Sequence, residues 1–183
     1  GEVEYFVRET GAAPGRWTQV STFADRLVKF EIGLDGNVYF LSRKDAPKGK
    51  IVKVPLATPG VDHASVVVPE GEGGIESFTA TKTRLYVVSL LGGPADVRVF
   101  DLATGRREGG IPILDVSSVG EVARLDDGSV LFSNTSYLKP QAWYRFDPKV
   151  GQAQKTALVV RSAADFSECE LVREFATSKD GTR

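Results

Sequence analysis

The chain has 183 residues, with 23 Lys+Arg against 24 Asp+Glu, one His and a formal net charge of -1. At 42% hydrophobic it is too apolar and too nearly neutral for a disordered tail, and its one cysteine, Cys169, excludes a disulfide framework. The near-zero charge argues against nucleic acid or an anionic membrane as a main partner, and apolar runs as short as Val66 to Val68 fall far below the roughly 20 residues of a membrane-spanning helix.

The apolar pattern is short and alternating, with turn residues between the runs, so the chain reads as all-β. Residues 4–9 followed by Thr10-Gly11 look like the third strand and turn of a repeating unit, and residues 17–20 like its fourth strand. A full unit follows, with strands predicted at about 25–32, 37–43, 50–56 and 64–68. Asp35-Gly36 supplies turn chemistry ahead of Val38-Tyr39-Phe40-Leu41. The glycine-rich stretch Glu70-Gly71-Glu72-Gly73-Gly74 lacks the Gly-Lys-Ser/Thr ending of a phosphate loop and reads as a connection between units. The next unit is predicted at 75–81, 84–90, 96–101 and 107–113, and a third at 120–125, 129–134, 142–147 and 154–160. Asp127-Gly128 precedes Val130-Leu131-Phe132 as Asp35-Gly36 precedes the first run. Beyond residue 165, Glu170-Leu171-Val172-Arg173-Glu174-Phe175 alternates like a further strand.

The units repeat. Val38, Leu85 and Val130 are 47 and 45 residues apart, and Val54, Phe100 and Phe146 are 46 and 46 apart. A shared turn follows the second set, at Pro55 to Gly60, Asp101 to Gly105 and Asp147 to Gly151. Four short strands at a period of roughly 40–50 residues are the signature of propeller blades. The fold expected is a partial β-propeller of three complete four-stranded blades plus half of another, over residues 1–165. Residues 166–183 are expected to form a strand and linker. A closed propeller needs about 4–8 blades, so this array is expected to stay open and leave apolar blade faces wet. That predicts self-association, by two copies side by side or by exchange of end strands. The starting Gly1, the absence of Met and the lone His suggest an internal piece of a longer protein.

Little catalytic chemistry is visible. There is no Gly-x-Ser-x-Gly elbow. The one imidazole, His63, sits in Val61-Asp62-His63-Ala64-Ser65 and reads as a solvent-facing loop residue. One His and one Cys cannot supply the four ligands of a structural zinc site. Cys169 lies between Glu168 and Glu170, whose charges oppose a thiolate nucleophile, and reads as an ordinary small residue on a strand. Asn134-Thr135-Ser136 fits the glycosylation pattern but reads as a strand end. Arg106-Arg107 and Lys48-Gly49-Lys50 read as solvated edges. Asp25, Asp35 and Asp127 sit at strand starts or turns without calcium-loop spacing. No catalytic, cofactor-binding or metal-binding residue is therefore assigned, and no cofactor is expected.

Two stretches carry a family resemblance. Asn134-Thr135-Ser136-Tyr137-Leu138-Lys139-Pro140-Gln141-Ala142-Trp143-Tyr144-Arg145-Phe146-Asp147 resembles the last propeller blade of the prolyl oligopeptidases, in its Thr-Ser pair, Pro, Tyr and Asp. Glu170 to Thr182, ending in Ser178-Lys179-Asp180-Gly181-Thr182, is similar to that family's entry into its catalytic domain. Asn37 to Leu56 and Asp101 to Gly105 fit the preceding blades. The resemblance implies a parent serine peptidase in which a seven-bladed propeller covers an α/β-hydrolase domain and limits access to short, often proline-containing peptides. The catalytic Ser, Asp and His would then lie after Arg183, and this chain by itself would be inert. Its implied partners are the hydrolase domain and short peptides, with no nucleic acid or membrane. The parent's compartment stays open between cytoplasm and periplasm. The competing reading is a non-catalytic propeller scaffold that binds a protein or peptide; the Trp-Asp repeats typical of such scaffolds are absent, because neither Trp17 nor Trp143 is followed by Asp.

Overall fold

The computed structural model describes residues 1–10 and 16–181. Gly11 of the first expected turn, and Thr182 and Arg183 of the closing stretch, lie outside the described residues. The described residues form fourteen strands and two short 3-10 turns. None of their helices is long and apolar enough to cross a membrane.

Strands β1 (Phe6–Val7) and β2 (Thr18–Gln19) make an antiparallel ribbon. Three four-stranded antiparallel meanders follow. Blade I is β3 (Leu27–Ile32), β4 (Asn37–Ser42), β5 (Lys50–Pro55) and β6 (Ser65–Val68). Blade II is β7 (Gly74–Ala80), β8 (Arg84–Leu90), β9 (Ala95–Asp101) and β10 (Arg107–Gly110). Blade III is β11 (Ser117–Arg124), β12 (Val130–Ser136), β13 (Ala142–Asp147) and β14 (Gln152–Val159). Blades I to III are complete, the ribbon holds the place of an outer half-blade, and the sheets do not close into a ring.

The register explains the sequence period. Val38 pairs with Val54, Leu85 with Phe100 and Val130 with Phe146. The residues that repeat along the chain are thus direct cross-strand neighbours at one place in each blade. In blades I and II the second strand is buried on both faces, so its residues alternate between two cores. In β4, Val38 and Phe40 face a core shared with the ribbon, while Tyr39 and Leu41 face blade II. In β8, Leu85 and Val87 face blade I, while Tyr86 and Val88 face blade III. Each blade is therefore glued to the next by one apolar layer.

The shared turn also has a physical cause. The Asp101 carboxylate accepts the Thr104 N–H at 2.8 Å, and the Asp147 carboxylate accepts the Lys149 N–H at 2.9 Å. Gly105 and Gly151 then take positive φ, 68° and 73°, and donate to the carbonyls of Asp101 and Asp147.

Three expectations need correction. Residues 170–175 form no strand: the segment has the alternation, but no sheet edge runs beside it to complete a backbone ladder. Cys169 accordingly lies in exposed coil rather than on a strand. Lys48 is not simply a solvated edge, because its ammonium donates to the Glu72 carbonyl at 2.7 Å and its N–H to the Glu70 carboxylate at 2.5 Å. It ties the β4–β5 turn to the glycine-rich connection, which does run between blades I and II.

Candidate functional site

The residues with chemical potential are dispersed. His63 ends an exposed 3-10 turn, Val61–His63, with Asp62 and Ser65 equally exposed beside it. Among the described residues, no group of three or more His, Cys, Asp or Glu is placed to hold a metal ion. Asp25, Asp35 and Asp127 work as turn builders. Asp25 accepts from the Thr22 N–H at 2.9 Å and from the Lys44 ammonium at 3.1 Å. Asp35 accepts from Asn37 and from the Tyr39 hydroxyl, at 2.6 Å. Burial opposes the Asp35 charge, but these hydrogen bonds outweigh it and hold the carboxyl below the usual range.

Asn134 is the informative exception. It lies within β12 at 1% exposure, which removes it as a glycosylation acceptor. Its Oδ1 accepts the Leu114 N–H at 2.8 Å, and its Nδ2 donates to Ser117 Oγ and to the Ser118 carbonyl, both at 2.9 Å. The Ser117 hydroxyl returns a bond to the Leu114 carbonyl. This network closes the loop that enters blade III, and within it Val116 is held at φ 41°. A β-branched residue in that region stores about 1–3 kcal/mol and persists only where its surroundings over-determine it. Next along β12, the Ser136 hydroxyl accepts the N–H groups of Leu138 and Lys139, at 3.3 and 3.1 Å, and shapes the turn into Pro140. The Asn134-Thr135-Ser136 run is thus scaffold chemistry that fixes two loops at one end of blade III.

Those loops wall a groove of about 580 Å³ between blades II and III. Its sides are the β8–β9 turn at 92–94, the strained entry at 116–118, the end of β12 at 135–137 and the returning chain at 171–174. The volume falls within the roughly 300–1,000 Å³ of small-ligand sites. The lining mixes apolar Pro94, Val116 and Leu171 with the Ser118 and Thr135 hydroxyls.

At the opposite ends of the innermost strands, polar side chains join the blades. Arg124, the last residue of β11, donates from Nη1 to Glu31 Oε1 at 3.2 Å, to the Ile32 carbonyl at 3.3 Å and to the Ala80 carbonyl at 3.2 Å. Glu31 also accepts the Ala80 N–H at 3.0 Å. Lys29 reaches the Glu76 carbonyl at 2.6 Å, and Thr79 the Val122 carbonyl at 2.8 Å. Burial pushes the Glu31 carboxyl up, against the lowering effect of the Ala80 N–H and of Arg124. No sequence pattern marks Val116, Arg124 or Glu31, whose surroundings are fixed only by the placement of the blades.

The family description "Prolyl oligopeptidase, N-terminal beta-propeller domain" matches residues 4–158. The chain belongs to this prolyl oligopeptidase propeller family. Solved structures share its fold at low identity. A prolyl endopeptidase superposes with a TM-score of 0.78 at 20% identity, over 98% of this chain and 26% of that one. Prolyl oligopeptidase B from Galerina marginata gives 0.76 at 15%, over 98% and 26%. Oligopeptidase B from Leishmania major gives 0.73 at 17%, over 99% and 27%. The chain thus spans about a quarter of the length of these proteins. No curated protein sequence matches it. In this prolyl oligopeptidase propeller the residues behind the resemblance are turn and core residues. Ser136 shapes a turn, Tyr144 stacks on Phe132 at 5.5 Å, and Phe146 lies in the core between blades II and III.

Proposed function

We propose that this chain is the non-catalytic propeller portion of a prolyl oligopeptidase-like serine peptidase, where it limits access to the hydrolase site to short, often proline-containing peptides. The observation that carries the reading is the family match over residues 4–158. In support, among the described residues no side-chain hydrogen bond joins His63 to Asp62 or Ser65, and in this reading the acyl-transfer chemistry comes from another domain. Residues 166–183 serve as the connection to that domain, and the domain and the peptide are the propeller's partners. The propeller's contribution is size selection and exclusion of water rather than proton transfer.

The test is a full-length protein carrying this propeller. It is expected to react with a serine-directed fluorophosphonate and to cleave a short proline-containing chromogenic peptide, while sparing the same sequence inside a folded protein. A protein that is inert to the fluorophosphonate and cleaves none of these substrates overturns the assignment. One that cleaves both substrates equally overturns the access role alone.

The 183-residue chain is also proposed to self-associate. Phe30 and Ile32 on β3 and Leu34 in the turn after it are all more than half exposed. Light scattering after size exclusion is expected to show a dimer or larger species at micromolar concentration; a monomer overturns this.

A further inference from the structure

After β14 the chain does not leave the molecule directly. The Val160 N–H still bonds to the Gln141 carbonyl at 2.8 Å, and residues 161–170 are exposed and unpaired in any sheet. The chain then runs back across the loop face of blade III to blade II. There the Arg173 Nη2 donates to the carbonyls of Leu91 and Gly92, at 3.2 and 3.0 Å. The guanidinium also sits 4.5 Å from the centre of the Phe175 ring. Among the described residues, these two bonds are the hydrogen bonds by which residues 161–174 reach another part of the chain. The crossing places residues 171–174 along the groove between blades II and III.

We propose that residues 161–175 are a strap over this groove and that Arg173 is its latch. A segment that pairs with no strand and is tied at its root and near its tip is a low-stability unit, able to open while the blades stay folded. The charged bonds to two main-chain carbonyls are the stronger of its ties. Their loss lets residues 171–174 lift and exposes the strained Val116 entry and the hydroxyls beside it. The loop side carries a glycine at the same contact. Gly92 has φ 63°, and a Cβ added there would lie 3.4 Å from the Arg173 Nη2. A side chain at 92 would strain the turn that carries the two accepting carbonyls, with its Cβ only in van der Waals contact with the guanidinium. The inference concerns the strap alone and holds whether or not residues 166–183 lead into a hydrolase domain.

The chain's own chemistry supplies the reporter. Cys169, its single cysteine, lies exposed on the strap and accepts a fluorescent maleimide. Arg173→Gln is expected to lower the anisotropy of that probe and to speed chymotryptic cleavage after Phe166 and Phe175 roughly tenfold, since proteolysis follows the open population. Cleavage after the core residues Tyr86 and Phe132 should not change. Gly92→Ala, made on the loop side, is expected to shift both readouts in the same direction by less. The proposal is overturned if Arg173→Gln leaves anisotropy and strap cleavage unchanged, or if cleavage at Tyr86 and Phe132 rises in step, which would make Arg173 a general stabiliser of the blades.

Discussion

Two tyrosines occupy the same place in successive blades and meet opposite fates. Tyr39 and Tyr86 each follow the first core residue of the second strand, and each faces the next blade. The Tyr39 hydroxyl donates to Asp35, four residues earlier in the preceding turn. Burial and that carboxylate both raise its pKa. In blade II the matching position is Lys82, which offers no acceptor. Tyr86 is fully buried with no hydrogen-bond partner for its hydroxyl among the described residues, and burial pushes its pKa up to about 12. An unpaired buried hydroxyl costs about 1–3 kcal/mol, whereas a bond to a charged acceptor contributes about 1.5–3 kcal/mol. Tyr86→Phe is therefore expected to raise stability by about 1 kcal/mol, and Tyr39→Phe to lower it by about 2 kcal/mol. Urea midpoints at unchanged slope measure both; a loss in Tyr86→Phe would mean that the hydroxyl has a partner. The contrast was legible in the sequence once the repeat was aligned, because Asp35 and Lys82 stand at the same place in it. The role of Asn134 was not legible, because its partners are Leu114 in the loop that enters blade III and Ser117 and Ser118 at the start of β11, which no repeat in the sequence links to it.

At the scale of elements, the turns carry what the apolar alternation leaves open. Val130-Leu131-Phe132 announces a strand, but Asp127 sets where it begins. Its carboxylate accepts from the Ser129 hydroxyl and N–H and pairs with Arg145 across the hairpin. The Ser129 bonds first, then Arg145, bring its pKa down to about 2. Asp35 and Asp101 are lowered in the same direction by similar turn bonds. A carboxyl whose folded pKa is depressed contributes stability that is complete above its unfolded value, near 4, and is lost as pH falls through the folded value. Stability is expected to fall between about pH 4 and 2. Asp127→Asn should lower stability at pH 7 and flatten that fall, as read by urea titrations across the range; an unchanged acid limb would show that the Asp127 bonds are equally present in the unfolded chain. The same logic explains why residues 170–175 misled. Alternation states which side chains could share a face, but a strand also needs a neighbouring ladder, and the sequence of one segment does not say whether one is there.

Across the whole molecule, the period of about 46 residues was enough to place every blade, because the aligned residues pair with each other in space. It was silent on how blades are held at their inner edge. The apolar layers join neighbours only, blade I to II and blade II to III. Arg124 is different, because it reaches from blade III past β7 to Glu31 in blade I. The pair is partly exposed, with side chains 39% and 22% accessible, so its net worth is discounted by solvent screening to about 1 kcal/mol. The partners are not equivalent. Arg124→Met leaves Glu31 half-buried without its cation, whereas Glu31→Gln keeps an oxygen for the Ala80 N–H and removes the charge that burial disfavours. Arg124→Met is thus expected to cost more at pH 7 than Glu31→Gln, and the second substitution should recover part of that loss in the double variant. The pH sign is opposite to that of Asp127. The folded pKa of Glu31 is raised, so in Arg124→Met the loss should shrink as pH falls through that value and the carboxyl becomes neutral. A double-mutant cycle in urea at pH 7 and pH 4 measures both effects. Additive single effects at both pH values would mean that blades I and III are joined only through the apolar layers of blade II.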